Sequence, residues 1–366
     1  METVSKVPKM IGLQIQKYHR LLAKGLDLNG VHTVALSYNR SVCDACNVPD
    51  QEHEDGIEYR YIRPSKLRAL THLKILTASF FQTLRFFALN PDSFAICDVL
   101  NLSLSLGAVL ATRLLRKQIV GIITDFPDMV TNSKKSGGPY WWLINHCTAY
   151  VLLTEAMKER VSTKNKKYVV LEGHVDINMK KMVDAAECKP IERCCIYAGG
   201  LHEKYGIKKL VEAFQKANIP NAVLHIYGDG DYAEKLQDLK DPRICYHGVV
   251  TNEEVVAAEL QASLLINPRP TAEEFTKYSF PSKNMEYMAS GTPVLTTNLP
   301  GMPREYLNYV YVFDDESVDG MAKTLINVLN LPPKVLQDKG HDARQFVLDE
   351  KNNVVQAQKI INMMKS

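Results

Sequence analysis

From Cys194 onward, short apolar segments alternate with segments of helical periodicity, and this alternation limits the possible folds more than any other feature. The apolar segments are 195–198, 222–227, 244–247, 264–267 and 293–297. The stretches between them, over 206–217, 232–239, 252–261 and 281–289, have the apolar spacing of helices. Strands that alternate with single helices form a parallel sheet covered on both faces. The pattern predicts a doubly wound α/β domain.

The first half of the chain has the same alternation in a less regular form. Helices are predicted over 14–28, 67–89 and 106–116, and strands over 32–38, 57–62, 93–98, 118–124, 149–153 and 168–171. The segment through Asp55 is predicted to be an irregular acidic loop. Only Met1 to Ile11 precedes the first helix, and Pro8 and two lysines there are unfavourable in a buried strand. The usual opening strand is therefore expected to be absent, or, as we favour, to lie upstream of the given sequence.

Composition indicates an ordinary globular protein. Hydrophobic residues make up 46% and charged residues 23% of 366 residues, which excludes a disordered or fibrous chain. The longest apolar stretch, 99–115, contains polar residues, and the N-terminus lacks the features of a secretory signal, so a cytoplasmic location is expected. The eight cysteines are scattered, and Cys43 and Cys46 lack a second ligand pair, so neither disulfides nor a metal site are predicted.

The net charge of +3 is unevenly distributed, because residues 1–180 carry more basic than acidic side chains. Two interpretations stay open: attraction to an anionic membrane surface or acceptor, and a solvated basic face. Nucleic-acid binding is disfavoured, because the basic residues are not interleaved with aromatics on a recognisable binding module.

Glycines and cations follow the predicted strands of the second half, where parallel sheets bind their ligands. Because Gly199 and Gly200 have no side chains, the protein backbone can approach a diphosphate closely at this point. The need for a tight turn would explain these two glycines equally well. Gly228 and Gly230 are interpreted as a strand-to-helix turn with a secondary binding role. Two further residues just past strands, Lys204 and Arg269, would neutralise a departing diphosphate, unless they are surface cations.

The segment Phe280–Val294 is the strongest feature. Pro281 and Ser282 are predicted to begin a helix, whose free N–H groups and dipole attract anions. Glu286 then lies near the start of that helix, where its carboxylate can accept hydrogen bonds from a ribose diol. The alternative is a glutamate that only stabilises the helix dipole.

These motifs together resemble the donor domain of glycosyltransferase family 4, a family of retaining enzymes with the GT-B fold. Residues 286–294 are similar to the second half of the family's motif of two glutamates separated by seven residues. Residues 197–206, 225–230 and 246–249 are similar to its strand and loop signatures, and the similarity runs from about Cys194 to Val312. The version found here resembles members that assemble polysaccharides. Across residues 1–180 the resemblance is thin.

The resemblance implies two Rossmann-like domains that face each other across a cleft. We expect an N-terminal acceptor-side domain over 1–178, a nucleotide-sugar donor domain over 179–345, and a C-terminal helix over 346–366 that packs back on the N-terminal domain. The implied donor-binding residues are Gly12, Gly199, Gly200, Gly228, Gly230, Val249, Tyr278, Phe280, Pro281, Ser282, Lys283 and Glu286. The implied catalytic residues are Asp125, Lys204 and Arg269.

This sequence departs from the family pattern at two points. Tyr278 occupies the position of the family's first glutamate, so recognition of the donor sugar is expected to be remodelled through Glu273, Glu274, Tyr278 or the backbone around Phe280. Gly200 stands where the family usually has an arginine. Lys204 is assigned to the family's lysine, and Arg269 is expected to compensate for the missing arginine.

In the first domain, Asp125 is the candidate side chain facing the sugar, and a strand-end aspartate that starts a turn is the alternative. The helix predicted over 67–89 carries phenylalanines together with Lys74 and Arg85, so it either lies on a membrane surface or packs against the sheet. Trp141 and Trp142 are consistent with a lipid-facing acceptor site.

The predicted function is transfer of a sugar from a nucleotide diphosphate sugar to a saccharide or lipid-linked saccharide, with neither metal nor cofactor. Retention of configuration is implied by the resemblance alone. The expected location is cytoplasmic, including the inner face of the plasma membrane. Two alternatives stay open: a nucleotide-sugar epimerase, and a non-catalytic partner subunit that kept the fold.

Overall fold

The computed structural model describes residues 14–38, 51–63, 65, 67–130, 137–161, 165–180 and 193–366. The chain divides into two compact units: unit 1 is Met1–Leu171 with Asn353–Ser366, and unit 2 is Glu172–Asn352. Residues 1–13, which include Gly12 and on which the expectation about the opening strand rests, lie outside the described residues together with the pair Cys43 and Cys46. In the parts of the chain that are described, no helix is long and apolar enough to cross a membrane.

The described residues of unit 1 form two sheets. A four-stranded parallel sheet has the order β4 (Ala95–Asp98), β5 (Ile119–Ile123), β6 (Ala149–Leu152) and β7 (Lys167–Val170). Every residue of β5 and β6 is buried, as expected for central strands of a parallel sheet. The second sheet joins β1 (Val34–Tyr38) in parallel to β3 (Ile57–Ile62), with β2 (Gln51–Glu54) on the other side of β3.

Strand β2 corrects the prediction of an irregular acidic loop through Asp55. Gln51–Glu54 pairs antiparallel with β3 across a turn formed by Asp55 and Gly56, both of which have positive φ angles of 52° and 80°. An Asp-Gly pair is a strong hairpin signal because both residues tolerate this conformation. The strand has no apolar alternation, which is why the hydrophobic pattern did not reveal it.

The helices of unit 1 pack on one another and on these sheets. They are α1 (Gln14–Leu28), α2 (Arg68–Leu89), α3 (Leu102–Leu114), α4 (Pro127–Val130), α5 (Gly138–His146) and, from the C-terminus, α12 (Asn353–Lys365). Helices α1 and α12 approach so closely that a Cβ atom on Gly25 would lie 2.0 Å from the Asn353 carbonyl oxygen. The amide of Asn29 donates to the carbonyls of Gly25 and Val354 at 2.7 and 2.8 Å. The C-terminal helix thus belongs to unit 1.

Helix α2 has two different faces. Ile75, Ser79 and Phe87 are buried, and the Ser79 hydroxyl donates to the Leu104 carbonyl of the adjoining segment at 2.7 Å. The opposite face exposes large apolar side chains: Leu70, Leu73, Phe81 and Leu89. The buried face is therefore consistent with a helix that packs inside unit 1. The exposed apolar face is consistent with a helix that lies on a membrane surface.

Unit 2 is built on a single parallel sheet of six strands. In chain order these are β8 (Cys194–Ala198), β9 (Val223–Tyr227), β10 (Ile244–Gly248), β11 (Leu264–Asn267), β12 (Val294–Thr297) and β13 (Tyr311–Phe313). Their spatial order is β10-β9-β8-β11-β12-β13, the order of a doubly wound nucleotide-binding fold with a switch point beside its first strand. The predicted fold class, Rossmann-like α/β domains with parallel sheets, is confirmed.

Helices cover both faces of this sheet: α6 (Ile207–Ala217), α7 (Ala233–Gln237), α8 (Asn252–Gln261), α9 (Ser282–Ser290), α10 (Val318–Leu329) and α11 (Pro333–Glu350). Thr251 and Glu254 form a reciprocal capping box at the start of α8. Helix α6 is followed by its C-cap residue Asn218, which takes the left-handed conformation at φ 45°. Two apolar clusters, one on each face, form the core.

A buried charge cluster connects the two ends of unit 2. Lys351 and Glu172 are 4% and 6% exposed, and the Lys351 ammonium lies 3.2 Å from a Glu172 carboxylate oxygen and 2.5 Å from one of Glu305. Burial lowers the pKa of Lys351, but the two carboxylates outweigh it and the net pKa is raised. The lysine is therefore charged, and it neutralises a glutamate that is cut off from water.

We expect Lys351→Ala to lower the free energy of unfolding by about 3–5 kcal/mol, because it removes the buried cation that neutralises the Glu172 carboxylate. Lys334→Ala is the matched control, since it breaks an exposed pair with Asp338 and should cost less than about 0.5 kcal/mol. Urea denaturation of both variants measures the difference. Equal stabilities would show that the buried cluster adds nothing to unit 2.

Candidate functional site

In unit 2, backbone hydrogen bonds connect the loops that follow neighbouring strands. The Gly199 N–H donates to the Tyr227 carbonyl at 3.0 Å, the Gly228 N–H to the Gly248 carbonyl at 2.8 Å, and the Leu201 N–H to the Asp229 carbonyl at 2.9 Å. Because all six strands are parallel, their carboxyl ends lie along one edge of the sheet. The loops after β8, β9 and β10 thus form one continuous backbone surface at that edge.

Gly228 is required for this arrangement. Its φ is +128°, and a Cβ atom there would lie 1.9 Å from the Gly199 carbonyl oxygen. Gly206 makes a second close approach, since a Cβ atom on it would lie 2.0 Å from the Pro268 carbonyl oxygen in the loop after β11. A Cβ atom on Gly230 would lie 2.6 Å from the Leu201 backbone. The glycines therefore set the distances between neighbouring loops.

Gly200 lies beside a tyrosine ring. A Cβ atom on Gly200 would lie 3.2 Å from the Tyr205 ring and 3.4 Å from His202. The hydroxyl of Tyr197 donates to the Gly200 carbonyl at 2.7 Å and so holds the turn from below. Tyr205 therefore occupies much of the space that a larger side chain at position 200 would need.

Arg269 contacts the ring of this tyrosine. Its guanidinium carbon is 4.9 Å from the centroid of the Tyr205 ring and 5.5 Å from that of Phe275, distances typical of cation–π contacts. The Arg269 carbonyl accepts a hydrogen bond from the Thr297 hydroxyl at 2.5 Å. Burial raises the pKa of Tyr197, and the positive charge of Arg269 opposes that shift. Arg269 is thus held next to the Gly199–Gly200 turn.

Lys204 lies in a short 3-10 helix, Glu203–Tyr205, in the same loop. Its side chain is exposed, and its ammonium is 5.3 Å from the Tyr205 ring centroid. The neighbouring Glu203 is paired with Lys235 at 2.6 Å, while the charge of Lys204 is among the smaller causes that lower the pKa of Asp231, after the hydrogen bond from His202. The structure therefore brings Lys204 and Arg269 to the same aromatic ring.

The predicted helix at 281–289 is α9, which begins at Ser282 with Pro281 as its N-cap residue. Ser282 is exposed, and Lys283 and Glu286 are half-buried. The first turn of a helix leaves backbone N–H groups without partners inside the helix. Phe280, in contrast, packs its ring in the core, 5.0 Å from the ring of Tyr306, so only its backbone remains for a ligand.

Tyr278 is 9% exposed and ends the 3-10 helix Glu274–Lys277. The ammonium of Lys277 lies 5.6 Å from its ring centroid. Glu273 and Glu274 are exposed in the preceding turn, and Val249 is exposed after β10. Of the residues suggested for sugar recognition, Glu273 and Glu274 are thus the accessible carboxylates, while Tyr278 is mostly enclosed.

Two polar contacts of this site were not predicted. The Tyr287 hydroxyl accepts from the Ala198 N–H at 2.9 Å and donates to the Ala198 carbonyl at 3.1 Å, which ties α9 to the end of β8. The buried Asn284 carboxamide accepts from Asn267 at 2.7 Å and donates to the Thr296 hydroxyl at 3.2 Å. These partners are far apart in sequence, so no local pattern could have revealed the pairs.

In unit 1, Asp125 follows β5 and is half-buried. The adjacent Phe126 stacks on Trp141 at 5.7 Å. Arg160 lies 4.2 Å from the Phe126 ring centroid and forms a two-pronged ion pair with Asp128 at 2.8 and 2.9 Å. The loop after β5 is therefore held by aromatic and charged contacts, with Trp141 as part of that support.

Among the described residues, no group of three or more His, Cys, Asp or Glu side chains could hold a metal ion. His225 and His247 come within 2.8 Å of each other and their rings stack, and His247 also stacks on Tyr227, but the two histidines form only a pair. Burial lowers the pKa of both histidines, and for His225 the neighbouring His247 adds to the shift.

Residues 185–346 match the family described as glycosyl transferases group 1, a segment that covers less than half of the chain. No curated protein matches the chain in sequence. Among solved structures, sucrose-phosphate synthase from Thermosynechococcus elongatus is similar with a TM-score of 0.66 and 18% identity, over 96% of this chain and 92% of that one.

Two further structures are similar over most of their lengths. The trehalose 6-phosphate synthase of Burkholderia multivorans has a TM-score of 0.64 and 13% identity, with 97% of this chain and 96% of that one covered. Anabaena HepE in complex with UDP-glucose has a TM-score of 0.60 and 12% identity, over 91% and 100%. At such identities the likeness establishes the GT-B fold of two Rossmann-like domains, and the family match in unit 2 supports a glycosyltransferase.

We expect Gly228→Ala to weaken nucleotide binding and to lower the free energy of unfolding by about 1–3 kcal/mol, because its Cβ atom would collide with the Gly199 carbonyl. Gly138→Ala is the control, since a Cβ atom there meets nothing within 4 Å. Denaturant midpoints and nucleotide titration measure both effects. A variant at position 228 that behaves like the control would contradict the close approach of the two loops.

Proposed function

We propose that this protein transfers a sugar from a nucleotide diphosphate sugar to a saccharide or lipid-linked saccharide, in the assembly of a polysaccharide or glycan, with retention of configuration. The family match to residues 185–346 and the sheet order of unit 2 support the donor class. HepE binds UDP-glucose, so UDP-sugars are the first donors to test.

The observation that carries the proposal is the contact of Arg269 with Tyr205 beside Gly200. The resemblance to glycosyltransferase family 4 implied that an arginine was missing at position 200, and Arg269, in the loop after β11, brings a guanidinium to the tyrosine ring beside this turn. Lys204 adds a second charge at the same ring. Two cations near a glycine turn can stabilise the negative charge that develops on a departing diphosphate.

The remaining donor-binding roles follow from the chemistry of each group. The N–H groups at the start of α9, near Ser282 and Lys283, would bind phosphate oxygens. Glu286 would accept hydrogen bonds from the ribose hydroxyls. Gly199, Gly200, Gly228 and Gly230 would let the nucleotide approach the backbone, with the exposed Val249 beside it, and Glu273 or Glu274 would contact the sugar.

In unit 1 we propose that Asp125 faces the transferred sugar, since it lies just past the end of a fully buried strand and its loop is held by the stacking of Phe126 on Trp141. A peripheral contact with the inner face of the plasma membrane is proposed for the exposed apolar face of α2, which Lys74 and Arg85 border.

We expect a panel of nucleotide sugars to yield a donor that this protein hydrolyses or transfers. Arg269→Ala should lower turnover about 100-fold to 1,000-fold and weaken UDP more than UMP, because it removes a charge from the diphosphate. Glu286→Ala should weaken UDP and UMP alike. Calorimetric titration and a coupled assay measure these effects.

The controls are Lys208→Ala on α6 and Glu253→Ala on α8, both at exposed positions. Unchanged nucleotide affinity in Glu286→Ala would mean that the donor site lies elsewhere. Isomer formation without transfer would identify an epimerase, and a chain that binds no nucleotide sugar would be a non-catalytic subunit.

For the membrane contact, we expect Leu73→Ser with Phe81→Ser to reduce sedimentation with vesicles of phosphatidylglycerol by at least about fivefold, because 58% and 64% of these side chains are exposed and would be buried in lipid. Leu28→Ser with Val335→Ser, at exposed positions outside α2, is the control. Equal sedimentation of both double variants would exclude α2 as the contact face.

A further inference from the structure

Unit 1 contains a pocket that the donor chemistry does not use. It has a volume of about 500 Å³ and lies between the β2–β3 hairpin and α2, within the range of about 300–1,000 Å³ typical of ligand pockets. Its lining residues are Gln51, Arg60, Tyr61, Ile62, Arg63, Lys74, Ala78, Gln82 and Arg85. The pocket belongs to unit 1 alone.

Helical spacing explains one wall of this pocket. Lys74, Ala78, Gln82 and Arg85 follow one another at intervals of four, four and three residues, which places them on one stripe of α2. The small Ala78 leaves room between the longer side chains. The opposite wall is the end of β3, from Arg60 to Arg63.

The lining is positively charged. Four of its nine residues are Lys or Arg, and none is Asp or Glu. Arg60 is paired with Glu58 through two contacts of 2.6 and 3.0 Å, which offsets one charge. Lys74 and Arg85 have no carboxylate partner among the described residues, so they remain available to an anion.

Two uncharged groups complete the pocket. The amide oxygen of Gln82 is buried and has no hydrogen-bond partner among the described residues, although buried polar atoms are usually satisfied. The pKa of Tyr61 is raised to about 12 by burial and, to a smaller extent, by Glu52. Tyr61 is therefore a neutral phenol that adds no negative charge.

We propose that this pocket binds the phosphate group of a phosphorylated saccharide, with Lys74 and Arg85 on the phosphate and Gln82 on a sugar hydroxyl. Guanidinium groups match the geometry of phosphate oxygens, and a doubly charged phosphate neutralises the excess charge better than a single carboxylate. This inference rests on the proposed function, in which the ligand is the acceptor. The phosphate has two sources: a soluble sugar phosphate, or a saccharide carried on a polyprenyl phosphate.

The test uses the full chain with its donor site saturated by UDP, so that added phosphate cannot bind there. Wild type should bind glucose 6-phosphate at least about tenfold more tightly than glucuronate, and added salt should weaken the binding. Lys74→Ala with Arg85→Ala should lower the affinity for glucose 6-phosphate at least about tenfold. Both substitutions lie on exposed helix positions, where Ala supports the helix.

Lys167→Ala with Lys240→Ala is the matched control, because it removes two exposed charges outside the pocket and should leave the affinity unchanged. A second arm measures sedimentation with phosphatidylcholine vesicles that contain a polyprenyl phosphate. If Lys74→Ala with Arg85→Ala reduces sedimentation with these vesicles, the phosphate comes from a lipid-linked saccharide. If the double variant loses only affinity for glucose 6-phosphate, the phosphate comes from a soluble sugar phosphate. Both results support the pocket.

Three results would overturn the inference: no binding of either phosphate probe to wild type, equal affinity of the pocket variant and the control, or equal binding of glucuronate and glucose 6-phosphate. The donor site is scored separately by UDP titration. UDP should bind the pocket variant normally, while Glu286→Ala should lose UDP and, in the absence of UDP, still bind glucose 6-phosphate. Failure of the pocket and failure of the donor assignment are thereby distinguished.

Discussion

The edge of unit 2 where its strands end depends on direct contact between loop backbones. Gly228 lies so close to Gly199 that no side chain fits between them, and their N–H groups bond to the carbonyls of the neighbouring strand ends. In the loop after β8, the turn at Gly200 is held by the Tyr197 hydroxyl and lies beside the Tyr205 ring. Arg269 and Lys204 both contact that ring.

The two units differ in where they place charged and apolar side chains. Unit 2 encloses charge at Lys351 and Glu172, where hydrogen-bonded ion pairs compensate for the loss of water. Unit 1 instead leaves charge and apolar surface accessible on α2, whose one face packs through Ser79 while the other exposes Leu73 and Phe81. Large apolar side chains and cations lie side by side on this accessible face, which is why they merit functional tests.

Elements of the fold that depend on local backbone chemistry could be predicted from the sequence. The helix over 14–28 and the strand over 57–62 match α1 and β3, and the glycines after β8 and β9 lie in the expected loops. The prediction was wrong for Gln51–Glu54, because a charged edge strand has no apolar alternation and is stabilised by pairing with β3. The contacts of Tyr287 with Ala198 and of Arg269 with Tyr205 join segments that are distant in the sequence. The local spacing of residues therefore could not predict them.

The sequence by itself determined the fold class of this protein, because its alternating apolar and helical segments form a parallel doubly wound sheet. Its glycines mark the loops at the strand ends. Only the tertiary structure decided which side chains meet there. It buried the ring of Phe280, enclosed most of Tyr278 and brought Arg269 to the turn at Gly200. It also assembled the cationic pocket from β3 and α2. The reason is that backbone pattern is a local property, whereas charge and burial depend on which surfaces pack together.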